Sequence, residues 1–143
     1  MCIRDRIYII QADPYEKEQR AALNLGHTLG HALEHVSGYQ LRHGEAVAIG
    51  MVAAARLAER TGMAEFGLAR NIIQILKNLD LPTEIPSNLD PKQLVNAMEV
   101  DKKRVAGKAR LVLPLCIGIV KWGVEVEDLS TLVAREPFLR IEN

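Results

Sequence analysis

The stretch from Gly44 to Arg60 most constrains the fold. It contains a ten-residue run, Ala46–Ala55, with no charged side chain, rich in alanine and carrying Val47, Ile49, Met51 and Val52. On a helix these apolar residues spread around most of the circumference, so the helix must be surrounded by other elements. The run is about half of what a bilayer span needs. The chain therefore has to wrap further helices around a central one, and its sequence supplies them.

From Pro14 to about Gly38 the sequence reads as one helix, opened by Asp13-Pro14 and closed by Gly38. Ile7–Ala12 is a short apolar run, strand or helix. After the central helix, which stops at Thr61-Gly62, Ala64–Asn78 repeats apolar residues at helical spacing. Pro82 and Pro86 bracket a linker, and Asp90-Pro91 opens a helix to about Lys103 with Leu94, Val95 and Met98 on its inner face. Arg110–Leu115 and Ile117–Trp122 are β-branched and apolar and predict a hairpin. A last helix is expected over about Glu127–Arg135. The fold class is mainly α: a helical bundle with a small β-hairpin. Residues 1–11 are set apart from the unit at 12–143, and Met1–Arg6 (MCIRDR) reads either as extraneous to it or as a genuine frayed terminus.

Eighteen basic side chains oppose eighteen acidic ones with no long run of either sign. That leaves no positive surface for nucleic acid or an anionic membrane. Aromatic residues are 4% of the chain, too few for a base-stacking platform. Two cysteines, Cys2 and Cys116, cannot make a disulfide framework. With no secretory layout at the N-terminus, the expected compartment is the cytoplasm.

The chemistry is concentrated in Arg20–Glu34, RAALNLGHTLGHALE. On a continuous helix Arg20, Asn24, His27 and His31 fall within about 60° of one another at roughly 100° per residue, forming one polar stripe. They offer a fixed cation, an amide and two imidazoles able to bind a metal or move a proton near neutral pH. Gly26 and Gly30, each costing about 1 kcal/mol inside a helix, call for close approach of another backbone or a ligand. The other reading is a solvated histidine face with glycines that only let two helices touch. His43, at the start of the central helix, could join His27 as a second imidazole ligand to a zinc-like ion. Glu45 is a candidate third ligand, but the helix dipole explains it more simply. His35 reads as solvated. Lys102 and Lys103 close a helix, where lysines complement the dipole, unless the following loop folds over the histidines and offers them to an anion.

These residues carry a resemblance. Arg20 with LNLGHTLGHALE (Leu23–Glu34), then HGEAVAIGMV (His43–Val52), DKK…G (Asp101–Gly107) and RLVLPLCIG (Arg110–Gly118), resembles the C-terminal helical domain of the 3-dehydroquinate synthase family within the sugar-phosphate cyclases. The likeness runs from about Ala12 to the last expected helix. It implies an NAD- and metal-dependent, phosphate-eliminating carbon–oxygen lyase of the shikimate pathway, with His27 and His43 as two of three ligands to zinc or cobalt. It implies that His31 is catalytic, that Arg20, Asn24 and Lys102 or Lys103 bind a sugar-acid phosphate, and that the complete enzyme is a homodimer. NAD would sit mainly on an N-terminal domain, and the chain has no GxGxxG-like loop. The family's third ligand, an upstream glutamate, has no counterpart here, and Arg6 stands where the family has a substrate-binding lysine. The chain by itself is therefore expected to be inactive. Other readings are a related cyclase (a 2-deoxy-scyllo-inosose or amino-dehydroquinate synthase) and a freestanding helical binding module.

Overall fold

The computed structural model describes residues 3–13, 19–104 and 109–133. Five α-helices, α1 (Ile3–Ala12), α2 (His27–Val36), α3 (His43–Arg60), α4 (Leu68–Asn78) and α5 (Pro91–Arg104), are joined by two antiparallel strands, β1 (Ala109–Cys116) and β2 (Ile119–Val126). Two 3-10 helices, Gln19–Asn24 and Leu129–Leu132, complete the described elements.

The apolar central segment becomes α3, and ten of its side chains or glycines are buried. One face packs Ile49 and Leu57 with Leu29 and Leu33 of α2, Leu94 and Met98 of α5 and Leu111 and Leu113 of β1. The opposite face packs Ala48, Val52 and Ala55 with Leu68, Ile72 and Leu76 of α4. A helix buried on both faces cannot carry a polar stripe, which is why α3 lacks one. None of the described helices is long and apolar enough to cross a membrane.

Several boundaries differ from the sequence expectations. The helix expected over Pro14–Gly38 is interrupted: Gln19–Asn24 is a 3-10 helix, and Gly26, with φ of 80°, is the left-handed N-cap of α2. Asp13 accepts a hydrogen bond from the backbone N–H of Arg20 at 3.1 Å, while residues 14–18 lie outside those described. α4 begins at Leu68 rather than Ala64, because Gly67 is left-handed and Glu59 Oε1 accepts from the N–H groups of Gly67 and Ala69. In place of a last helix over 127–135, Asp128 caps the 3-10 helix Leu129–Leu132 by accepting from Ser130 N–H; residues 134–143 lie outside those described. Ile7–Ala12 is helical, as part of α1. The hairpin forms, but Ile117 lies in its turn with Gly118, so the second strand begins at Ile119 rather than Ile117 and runs to Val126.

Candidate metal and substrate site

α2 and α3 form an antiparallel pair with a fixed register. A Cβ on Gly26 would meet Met51 N at 2.6 Å and the Val47 carbonyl at 2.7 Å. One on Gly50 would run into the Gly26 carbonyl, and one on Gly30 would lie 3.2 Å from Val47 Cγ2. Four and eight residues after Gly26 come Gly30 and Glu34, and Glu34 meets His43. The connection holds that register: Gly38 and Tyr39 are both left-handed, with Tyr39 N–H donating to the Glu34 carbonyl at 2.8 Å. The chain thus doubles back within a few residues, and His43 starts α3 beside the end of α2.

The result is a cluster of three imidazoles. Ring centroids are 5.3 Å apart for His27–His43, 5.5 Å for His27–His31 and 6.0 Å for His31–His43. Two imidazoles bound to one tetrahedral ion at ~2.0–2.1 Å per nitrogen have ring centroids roughly 5 Å apart. The His27–His43 and His27–His31 spacings both fit that. His27 Nδ1 lies 3.3 Å from the Leu25 carbonyl. A carbonyl only accepts, so in the neutral ring Nδ1 carries the proton and Nε2 is the nitrogen with a lone pair. The chemistry of the donor set therefore suits a borderline ion such as zinc or cobalt.

Glu34 was not among the residues singled out from the sequence. Both of its carboxylate oxygens lie 3.2 Å from His43 Nδ1. Ligand-capable atoms of His31, Glu34 and His43 also lie within 4.8 Å of one another. Its signal was present in the spacing: seven residues after His27 and three after His31, it falls on the same helical face. Glu45, the candidate third ligand, instead accepts from Arg42 N–H at 2.9 Å, the capping role that the helix terminus favours.

The interruption at Gly26 changes the stripe. His27 and His31 share α2, whereas Arg20 and Asn24 belong to the preceding 3-10 helix, half-buried and packed against the hairpin. Asn24 lines a small cavity with Gly26, Thr28 and Gly50. The four residues are thus not one register on a single helix. On the other side of α2 an open groove of about 590 Å³ runs along α5, lined by Thr28, His31, His35, Gln93 and Asn96 among others. His35 is exposed, as expected. α5 carries Lys102 and Lys103 in its last residues, and their side chains lie outside those described.

Residues 1–104 match the family model described as 3-dehydroquinate synthase C-terminal. The chain is 47% identical over 130 residues to 3-dehydroquinate synthase of Xanthomonas axonopodis pv. citri, covering 87% of this chain and 35% of that protein. It is 42% identical over 134 residues to the enzyme of the same name from Symbiobacterium thermophilum, covering 85% and 37%. It therefore spans about a third of the length of these relatives. A 2-deoxy-scyllo-inosose synthase solved with carbaglucose-6-phosphate, NAD+ and Co2+ superposes with a TM-score of 0.79 at 26% identity, over 92% of this chain and 38% of that one. The fold is also that of 2-epi-5-epi-valiolone synthase from Streptomyces hygroscopicus, solved with NAD+ and Zn2+, with a TM-score of 0.74 at 22% identity over 92% and 36%. With the family model covering residues 1–104 and the histidine pair set by an antiparallel α2–α3 hairpin, this chain belongs to the 3-dehydroquinate synthase C-terminal family.

Proposed function

We propose that the chain is the metal- and substrate-binding part of a 3-dehydroquinate synthase. That enzyme converts 3-deoxy-D-arabino-heptulosonate 7-phosphate into 3-dehydroquinate and phosphate, in the cytoplasm and as a homodimer. NAD would be held mainly by the N-terminal domain of the full-length protein, and residues 12–143 form the domain at issue. The observation that carries this reading is the convergence of His27, His31 and His43 from two helices whose register is fixed by backbone contact. The identities of 42–47% to dehydroquinate synthases support this substrate.

In this reading His27 and His43 hold the ion, which supplies Lewis acidity to the alcohol being oxidised. His31, on the exposed side of the cluster, exchanges protons with the substrate. Its ring borders the open groove, whose walls offer the Gln93 and Asn96 amides and the Thr28 hydroxyl to a polyhydroxylated ligand. Arg20 supplies a cation and Asn24 an amide for the carboxylate end. Lys102 or Lys103 adds a cation for the phosphate or carboxylate.

The test replaces the matching third of the Xanthomonas axonopodis enzyme with this chain and measures phosphate release. Release from 3-deoxy-D-arabino-heptulosonate 7-phosphate that requires NAD and a divalent ion is expected. No turnover is expected from the 143-residue chain alone. Turnover of a hexose 6-phosphate instead would assign the chain to another cyclase, and turnover by the isolated chain would overturn the division of labour between domains.

A further inference from the structure

We propose that Glu34 is the positioning residue of the metal pair: its carboxylate accepts a hydrogen bond from His43 Nδ1–H and so leaves Nε2 as that ring's ligand atom. The inference rests on the reading of His43 as a metal ligand. Both Glu34 oxygens lie 3.2 Å from His43 Nδ1. The Glu34 side chain is 17% exposed, while that of His43 is 56% exposed. An exposed imidazole at a helix start has many rotamers and two tautomers to choose from; a half-buried carboxylate on the neighbouring helix selects one of each. An ionised carboxylate only accepts, so a neutral His43 facing it carries its proton on Nδ1.

His27 is held in the same way by a different acceptor, its Nδ1 lying 3.3 Å from the Leu25 carbonyl. Each ring of the 5.3 Å pair is thus pinned through Nδ1, one by a carboxylate and one by a backbone carbonyl. The same geometry argues against Glu34 as a ligand beside His43 Nδ1. A metal at that nitrogen would have to displace the contact that both carboxylate oxygens now make.

The test uses the full 143-residue chain, with Co2+ as the probe and ring nitrogen NMR on the metal-free protein at a pH where the imidazoles are neutral. The expected result is His43 with Nδ1 protonated and Nε2 bare, changing toward the Nε2–H form in Glu34→Ala. Co2+ affinity falls by about 10–100-fold in Glu34→Ala and by less in Glu34→Gln, whose amide oxygen still accepts the hydrogen bond from Nδ1–H. Glu34→Gln preserves the side chain's shape, so it tests the proposal if Glu34→Ala does not fold. A His43 tautomer that Glu34→Ala leaves unchanged overturns the proposal. So does Glu34→Gln losing Co2+ as severely as Glu34→Ala, because the carboxylate is then itself a ligand. Absence of Co2+ binding by the unsubstituted chain overturns the metal reading and this proposal together. Binding that His43→Ala abolishes but Glu34→Ala leaves within about twofold overturns this proposal alone.

Discussion

The two sides of α2 are built differently. Toward α3, beside the side-chain packing of Leu29 and Leu33 with Ile49 and Leu57, backbone meets backbone: Gly26 and Gly30 lie on Val47, Gly50 and Met51, with no room for another carbon at Gly26 or Gly50. Toward α5 the buried contact, Leu29 and Leu33 with Leu94 and Met98, lies below an open groove of about 590 Å³. A glycine contact fixes the distance between two helices to within tenths of an ångström, because hard atoms on both sides cannot yield. A side-chain contact can be repacked at modest cost. The proposed metal pair spans the first kind of interface, and the proposed substrate space borders the second. This separates what must be held before a ligand arrives from what has to accommodate one.

The comparison breaks most sharply at Gly50. Gly50→Ala drives a methyl group into the Gly26 carbonyl. It should destabilise the chain by about 3 kcal/mol or more, at the upper end of overpacking, and abolish Co2+ binding, as read by denaturant unfolding and metal titration. On the other side of α2, Met98→Ala removes a side chain only 1% exposed and should cost about 2–5 kcal/mol. It should leave Co2+ affinity unchanged, since α5 does not set the α2–α3 register. Equal losses of affinity in the two variants would erase the distinction drawn between the two faces.

Smaller effects sharpen the same contrast. Gly44, on the exposed start of α3, has nothing within 4 Å of a built Cβ. Gly44→Ala should therefore stabilise the chain by up to ~1 kcal/mol, the opposite sign from Gly50→Ala. Asn96→Leu in the groove should change stability by no more than about 0.5 kcal/mol and leave Co2+ affinity alone, while raising KM in the chimeric enzyme. The smallest effect concerns Asp128. A side-chain hydrogen bond from Ser130, then the Ser130 backbone N–H, hold its carboxyl below the ordinary value of 3.8. Ionised Asp128 thus contributes stability that is present above the unfolded-state value and lost as pH falls through the lower folded-state value. An NMR titration should place its midpoint under 3.8, and Ser130→Ala should move it back up.

Much of this was legible in the sequence. The buried α3, the hairpin and the Asp90-Pro91 helix start follow from apolar spacing and turn residues, which act locally. The glycines were legible as sites of close approach, and the structure supplies Val47, Gly50 and Met51 as what approaches them. The break at Gly26 was not, because a glycine at a left-handed N-cap and one inside a helix look alike until the partner helix is placed. The 100° periodicity therefore carried Arg20 and Asn24 onto a helix that begins only at His27. Glu34 shares the face of His27 and His31 by spacing, but a glutamate on a helix is ordinarily a solvated one. Only the return of the chain through Gly38 and Tyr39, which brings His43 against it, marks it out.

In the proposed site the α2–α3 register presets His27 and His43 as a metal pair. The most direct measurement is a crystal structure of the chain soaked with Zn2+, with the ion located by anomalous scattering. One site is expected at about 2.0–2.1 Å from a ring nitrogen of both His27 and His43, with Glu34 still on His43 Nδ1. An ion held by His31, Glu34 and His43, with His27 unbound, would contradict it.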